Sequence, residues 1–345
     1  APAVVTTIKP LHSIAAAVMK GVGDPVILID GAASPHGFAL KPSQAYMLQG
    51  ADVVFWVGPD LTPSLAKPIA SMAQDAETVE LMDAAGISHL GLREGAQFDT
   101  HDHDHDDEEE HAESHAHEDE DEHEHEHDEH AHADEDHEHE HADSDHEDDH
   151  SDHDDHDDDD GHGDHHDHEH GEGRDAHIWL NPDNGIAIAA AMAETLAGVD
   201  PDNADTYKAN AEAFSKQIEG LEKEIAAQLK PVEGKDFIVF HDAYHHFEHH
   251  FDIEASGAIT LSPEALSSAD RISEIRHRIE DLGVTCVFRE PQFEAKLVTV
   301  VVEGSGARIG TLDPLGTELD NGPDLYPALL KGLADGLADC LDDKS

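Results

Sequence analysis

Apolar residues fall in two registers along this chain. Short runs rich in β-branched and apolar residues at 4–8, 26–29, 53–58 and 78–82 alternate with amphipathic, helix-compatible stretches at 11–21, 42–50 and 63–73. Such runs suit strands buried on both faces, and amphipathic stretches suit helices. The alternation predicts a parallel sheet covered by helices, because parallel neighbours need a crossover and a helix is the usual one. The same rhythm returns at 237–240, 253–259, 285–288 and 308–312, with helical segments running up to 250 and at 269–282 and 324–341. Between the two sets lie helical stretches at 184–198 and 202–229, and in the second Phe214, Ile218, Leu221, Ile225 and Leu229 form one apolar stripe on a polar cylinder. The expected fold is α/β, with two lobes joined by one long helix.

One segment follows neither period. Residues 100–170 hold 23 histidines, 37 Asp or Glu and no Lys or Arg. With almost nothing apolar to bury and with carboxylates that repel one another, it is expected to be a disordered loop, spanning 100–172 inside the first lobe, until metal reaches it. Imidazole and carboxylate suit divalent ions such as Zn²⁺, so His101, His103, His105, His123, His125, His127, His165, His166, His168 and His170 are candidate low-affinity ligands.

Charge narrows the partners. The formal net charge of −61 divides into −37 from this run and −24 from the rest, where 43 acids face 19 Lys plus Arg. Nucleic acid and anionic lipid are poor partners for such a field, whereas a cation is a good one. No apolar stretch approaches the roughly 20 residues that span a bilayer, and a start at Ala1 reads as an exported chain after signal-peptide removal. Cys286 and Cys340 read most simply as one disulfide in an oxidising compartment, with two buried thiols as the alternative and a zinc half-site a weaker one.

Four short segments carry chemistry. They are SPHGF at 34–38, DAHIWLNP at 175–182, VFHDAY at 239–244 and GTLDPLG at 310–316. Two of them, around His241 and Asp313, put a polar group at the C-terminal end of a strand, where ligands of open α/β sheets gather. With VVFWVGPD at 53–60, CVFREPQF at 286–293 and a His/Asp/Glu-rich insert just before His177, the ordered set resembles the metal-receptor solute-binding proteins of ABC importers (cluster A-I, cluster 9), in their periplasmic zinc-receptor branch.

The resemblance implies an N-terminal lobe at 1–200, a rigid linking helix at 202–229 and a C-terminal lobe at 235–345, with about four strands per lobe and one Zn²⁺ between the lobes. It implies His36 and His177 as ligands from the first lobe, His241 from the second, and Asp313 or water as the fourth, since Pro35 stands where some zinc receptors carry a Glu. It also implies a Cys286–Cys340 bridge, a periplasmic monomer and no enzymatic activity. The partners it implies are an ABC permease subunit and a periplasmic zinc chaperone. Glu290 is a lesser candidate, as a fourth ligand or as a hydrogen-bond acceptor behind a ligand.

Three imidazoles and at most one carboxylate favour tetrahedral zinc over manganese, which prefers more oxygen. His245, His246, His249 and His250 form two i, i+4 pairs that read mainly as a solvated helix face and secondarily as a weak auxiliary site. Competing functions are a zinc buffer or chaperone acting through the insert, and a His₃ zinc hydrolase. Against the hydrolase, no H-E-x-x-H occurs outside the acidic run and no general base stands beside the ligand motifs.

Overall fold

The computed structural model describes residues 1–93, 173–260, 263 and 268–342. The ten candidate histidines between 101 and 170, and the whole of the loop expected at 100–172, lie outside the described residues. Two four-stranded parallel sheets organise the described chain. The first contains β1 (Val4–Ile8), β2 (Val26–Ile29), β3 (Val53–Trp56) and β4 (Glu77–Glu80), in the order β2-β1-β3-β4. The second contains β5 (Phe237–His241), β6 (Gly257–Thr260), β7 (Cys286–Arg289) and β8 (Arg308–Thr311), in the order β6-β5-β7-β8.

Sequence and position in the sheet agree. The central strands β1 and β3 are buried at every residue, whereas the edge strand β4, ETVE, is largely exposed. A central parallel strand is covered on both faces and favours apolar and β-branched side chains, while an edge carries charge at little cost. In the second sheet the register sets Phe237 against Cys286 and Ile238 against Gly257.

Helices α1 (Lys9–Val18), α2 (Pro42–Gln49) and α3 (Ala66–Met72) connect the strands of the first sheet. Helices α6 (His245–His250), α7 (Ala269–Leu282) and α8 (Lys296–Val302) connect those of the second. Helix α4 (Pro182–Val199) begins on Asn181, whose side chain accepts from the Asp183 amide at 2.9 Å, with Pro182 in the first turn where no amide is missed. Helix α7 ends on Gly283 at φ +62°, a left-handed cap that glycine adopts without strain.

The longest helix, α5 (Ala204–Leu229), buries Tyr207, Ala211, Phe214, Ile218, Ile225 and Leu229, so the stripe read from the sequence is its core face. The long helix α5 links the halves, and the last helix, α9 (Leu325–Leu341), packs on it and reaches back to α1. One core runs from β1 and β3 through α4, α5 and α9 to Phe237 and Phe288, and a smaller one lies between the second sheet and α7 and α8. The close approach of α9 to α4 requires Gly185: a Cβ there would stand 2.1 Å from the Tyr326 hydroxyl oxygen.

Cys286 and Cys340 form a disulfide joining β7 to α9, with a Cα–Cα distance of 6.1 Å. It closes a loop across a sequence separation of 54, which restricts the unfolded chain by about 4 kcal/mol at room temperature. A Cys286→Ser/Cys340→Ser variant is expected to lose stability of that order, read as a lower urea midpoint. An unchanged midpoint would show that the bridge adds nothing.

Candidate metal centre

Three histidines from distant parts of the chain converge where the two lobes face each other. His36 sits in the loop after β2, His177 immediately precedes a short 3₁₀ turn (Ile178–Leu180) that leads into α4, and His241 is the last residue of β5. Each offers a ring nitrogen, and these atoms all lie within 4.8 Å of one another. Ring centroids are 5.2, 5.7 and 5.3 Å apart for the pairs 36–177, 36–241 and 177–241. The Nε2 atoms of His36 and His177 are 3.2 Å apart. Two nitrogens on a tetrahedral zinc, each at about 2.0–2.1 Å, stand about 3.3 Å apart.

Two of the rings are oriented from behind by carboxylates. His177 Nδ1 donates to Asp175 Oδ1 at 2.7 Å, and His241 Nδ1 donates to Glu290 Oε1 at 2.6 Å. A proton held on Nδ1 leaves Nε2 as the lone-pair nitrogen, which is the arrangement a metal requires. His241 Nε2 is buried with no hydrogen-bond partner, an acceptor aimed into the gap between the lobes.

The electrostatics differ from ring to ring. Burial, reinforced by His177 and His241 nearby, pushes His36 down to about 2, so it remains neutral at every physiological pH. For His241 burial pulls the same way, but the Glu290 carboxylate outweighs it and the pKa rises above its ordinary value. Burial would raise the Asp175 carboxyl, but the contacts of His177 and the nearness of His246 hold it down at about 2.

Around the three rings stand Ser34, Pro35, Trp179, Gln292, Phe293 and Leu315. The two lobes are stapled at this level. Trp179 Nε1 donates to the Pro314 carbonyl at 2.8 Å, the Tyr326 hydroxyl donates to the Trp179 carbonyl at 2.7 Å, and buried Lys9 reaches the carbonyls of Thr317 and Leu319.

Asp313 is not brought into this group. Its Oδ1 accepts from Gln292 Nε2 at 2.7 Å, from the amides of Leu315 and Gly316 at 3.1 Å each, and from the Thr317 hydroxyl, while Oδ2 accepts from the Thr317 amide. An Asp before a Pro at a strand end is a turn former, and here that use takes both oxygens. Glu290 stands at the rings instead, with its second oxygen buried and without a hydrogen-bond partner.

Helix α6 holds the other histidine cluster. His246 is buried and donates from Nε2 to the Asp175 carbonyl at 3.1 Å, while His250 lies between Glu222 at 3.1 Å and Asp183 at 3.7 Å. Among the described residues, His36, His177 and His241 alone meet as three close donors. Reading the sequence missed Asp175, which lies in the DAHIWLNP segment and orients His177, and Arg93, which bonds to Asp242 beside His241.

The family profile of the zinc-uptake complex component A, periplasmic, ZnuA, matches residues 4–340. The chain belongs to the ZnuA family. It is 48% identical to the high-affinity zinc uptake system protein ZnuA of Brucella abortus over 338 residues, covering 98% of this chain and 91% of that protein. It is 40% identical to the protein of the same description from Paracoccus denitrificans over 341 residues, covering 99% and 92%. A solved crystal structure of a ZnuA superposes with a TM-score of 0.69 at 20% identity, over 99% of this chain and all of the other, and so shares its fold. As a ZnuA family member the chain is the periplasmic substrate-binding component of a zinc ABC transporter, and not an enzyme. No helix among the described residues is long and apolar enough to cross a membrane.

Proposed function

We propose that His36, His177 and His241 are the ligands of the transported zinc ion, each through Nε2, and that the protein carries this ion to the membrane subunit of its transporter. The observation that carries the reading is the convergence of three imidazole donors within 4.8 Å, two of them locked into the metal-binding tautomer by buried carboxylates. Asp175 and Glu290 supply two negative charges behind two neutral ligands, which matches the charge of the cation. The fourth position is open to water or to the free oxygen of Glu290. All three ligands come from one chain, so a monomer suffices.

The acidic insert is a collector. It holds several ions weakly, including one drawn from a periplasmic zinc chaperone, and raises the local zinc concentration beside a single tight site. Calorimetric titration of the form lacking residues 101–170 tests both parts. One tight zinc is expected to remain while the weaker stoichiometry disappears, and a crystal of that form should give an anomalous peak at the zinc edge between the three rings. Unchanged multi-ion stoichiometry would remove the collector, and a peak elsewhere would remove the ligand assignment.

A further inference from the structure

The insert is bracketed by two arginines that bond to different lobes. No Lys or Arg lies between Arg93 and Arg174. Their chain segments form a small antiparallel ribbon, with a bridge between Gly91 and Arg174, the Leu92 amide on the Gly173 carbonyl at 2.9 Å and the Asp175 amide on the Leu90 carbonyl at 2.8 Å. Arg174 reaches Asp60 at 3.0 Å and Asp83 at 2.8 Å, both in the first lobe and both well exposed. Arg93 turns inward to the second lobe. Its Nε donates to both oxygens of Asp242 at 3.1 Å, one terminal nitrogen donates again to Asp242, and the other donates to Glu248 at 2.7 Å.

The side chains of this triplet are 10%, 8% and 2% exposed, so the charges depend on one another. Burial pushes the Glu248 carboxyl up even with Arg93 beside it, and removing one member of such a group leaves a buried charge uncompensated. The location gives the triplet its reach. Asp242 follows His241 directly, in a turn closed by the Ala243 amide on the His241 carbonyl at 2.9 Å. The other strand of the ribbon ends in Asp175, which holds His177. One short ribbon therefore reaches a histidine in each lobe, His177 through Asp175 and His241 through Arg93 and Asp242.

We propose that Arg93 is a positioning residue, an interlobe latch that keeps His241 facing His177 and thereby sets how fast the bound cation leaves. The proposal rests on those histidines being the ligands. Holding two lobes against a bound ion slows dissociation more than it speeds arrival, since arrival is limited by encounter.

Zinc release from the full chain is followed by stopped flow against an excess of a chromogenic chelator. Arg93→Ala is expected to release zinc about tenfold faster, a coupling of ordinary size for two linked sites, with an unchanged association rate. Arg93→Lys, which keeps the charge but loses the fork that spans both acids, should fall between the two, and it decides the matter if the alanine variant does not fold. Arg174→Ala removes two exposed ion pairs within the first lobe, of a kind worth little, and leaves the Arg93 group between the lobes intact, so it should release at the wild-type rate. Wild-type release from the Arg93 variants, or equal acceleration in Arg174→Ala, would overturn the latch. His177→Ala keeps the two readings apart: retained tight zinc in that variant would defeat the ligand assignment, whereas unaltered release from Arg93→Ala with the three histidines intact defeats the latch alone.

Discussion

Replacing His241 with alanine is expected to weaken zinc binding by about a thousandfold. Zinc sites of this type are worth about 10–16 kcal/mol near neutral pH, and a third of that, about 3–5 kcal/mol, is roughly a thousandfold in Kd. The loss should fall at the upper end because His241 Nε2 is buried and unpartnered, and because its removal also strands the Glu290 carboxylate that its Nδ1 proton satisfies. Asp313→Ala makes the comparison. It deletes the acceptor of the Leu315, Gly316 and Thr317 amides, so it should lower the melting temperature of the metal-free protein and leave affinity close to wild type. Competition against a chelator of known affinity, with thermal melts of both variants, separates the two outcomes. An affinity loss for Asp313→Ala as large as that for His241→Ala would restore the aspartate as the fourth ligand.

That contrast also marks what could be read from sequence. Central strands were readable because burial on both faces favours apolar and β-branched residues, and β1 and β3 begin with the runs at 4–8 and 53–58. The strand expected at 253–259 instead forms at Gly257–Thr260, because the residues before it make a turn with Asp252 at φ +55° and the Ile253 amide on the Glu248 carbonyl. Helix α8, with the sequence KLVTVVV, was not anticipated. Its β-branched residues favour strands locally, but the chain must cross between the parallel strands β7 and β8, and that topology overrides local preference. The three histidines were visible through their motifs. Asp313 was ambiguous because an Asp-Pro at a strand end serves a turn and a ligand equally well. Arg93 was invisible because its partner Asp242 lies 149 residues away; the usable signal was two arginines flanking a long stretch without any.

Acid is expected to weaken zinc binding through His241 and not through His36. A ring that binds metal through Nε2 cannot also hold a proton there, so affinity falls once pH drops below the pKa of a competing ring. His36, held down at about 2, never competes in the working range. His241, raised by Glu290 above its ordinary value of 6.5, does compete. The decline should therefore begin above pH 6.5 and steepen below it to at least about tenfold per pH unit, the slope of one displaced proton. Folding of the metal-free protein carries the opposite sign for this group: the His241–Glu290 pair stabilises fully below the unfolded pKa, and that stabilisation is lost as pH rises through the folded one. Glu290→Gln separates the carboxylate's two effects. The variant still offers an oxygen to Nδ1, but without the charge it should bind zinc about 10–100-fold more weakly at pH 8, with the midpoint of its pH dependence moved down. Chelator competition between pH 8 and 5.5, corrected for the chelator's own protonation, gives both quantities. A flat wild-type profile, or a midpoint unmoved in Glu290→Gln, would mean that His241 is not the ring at which protons and zinc compete.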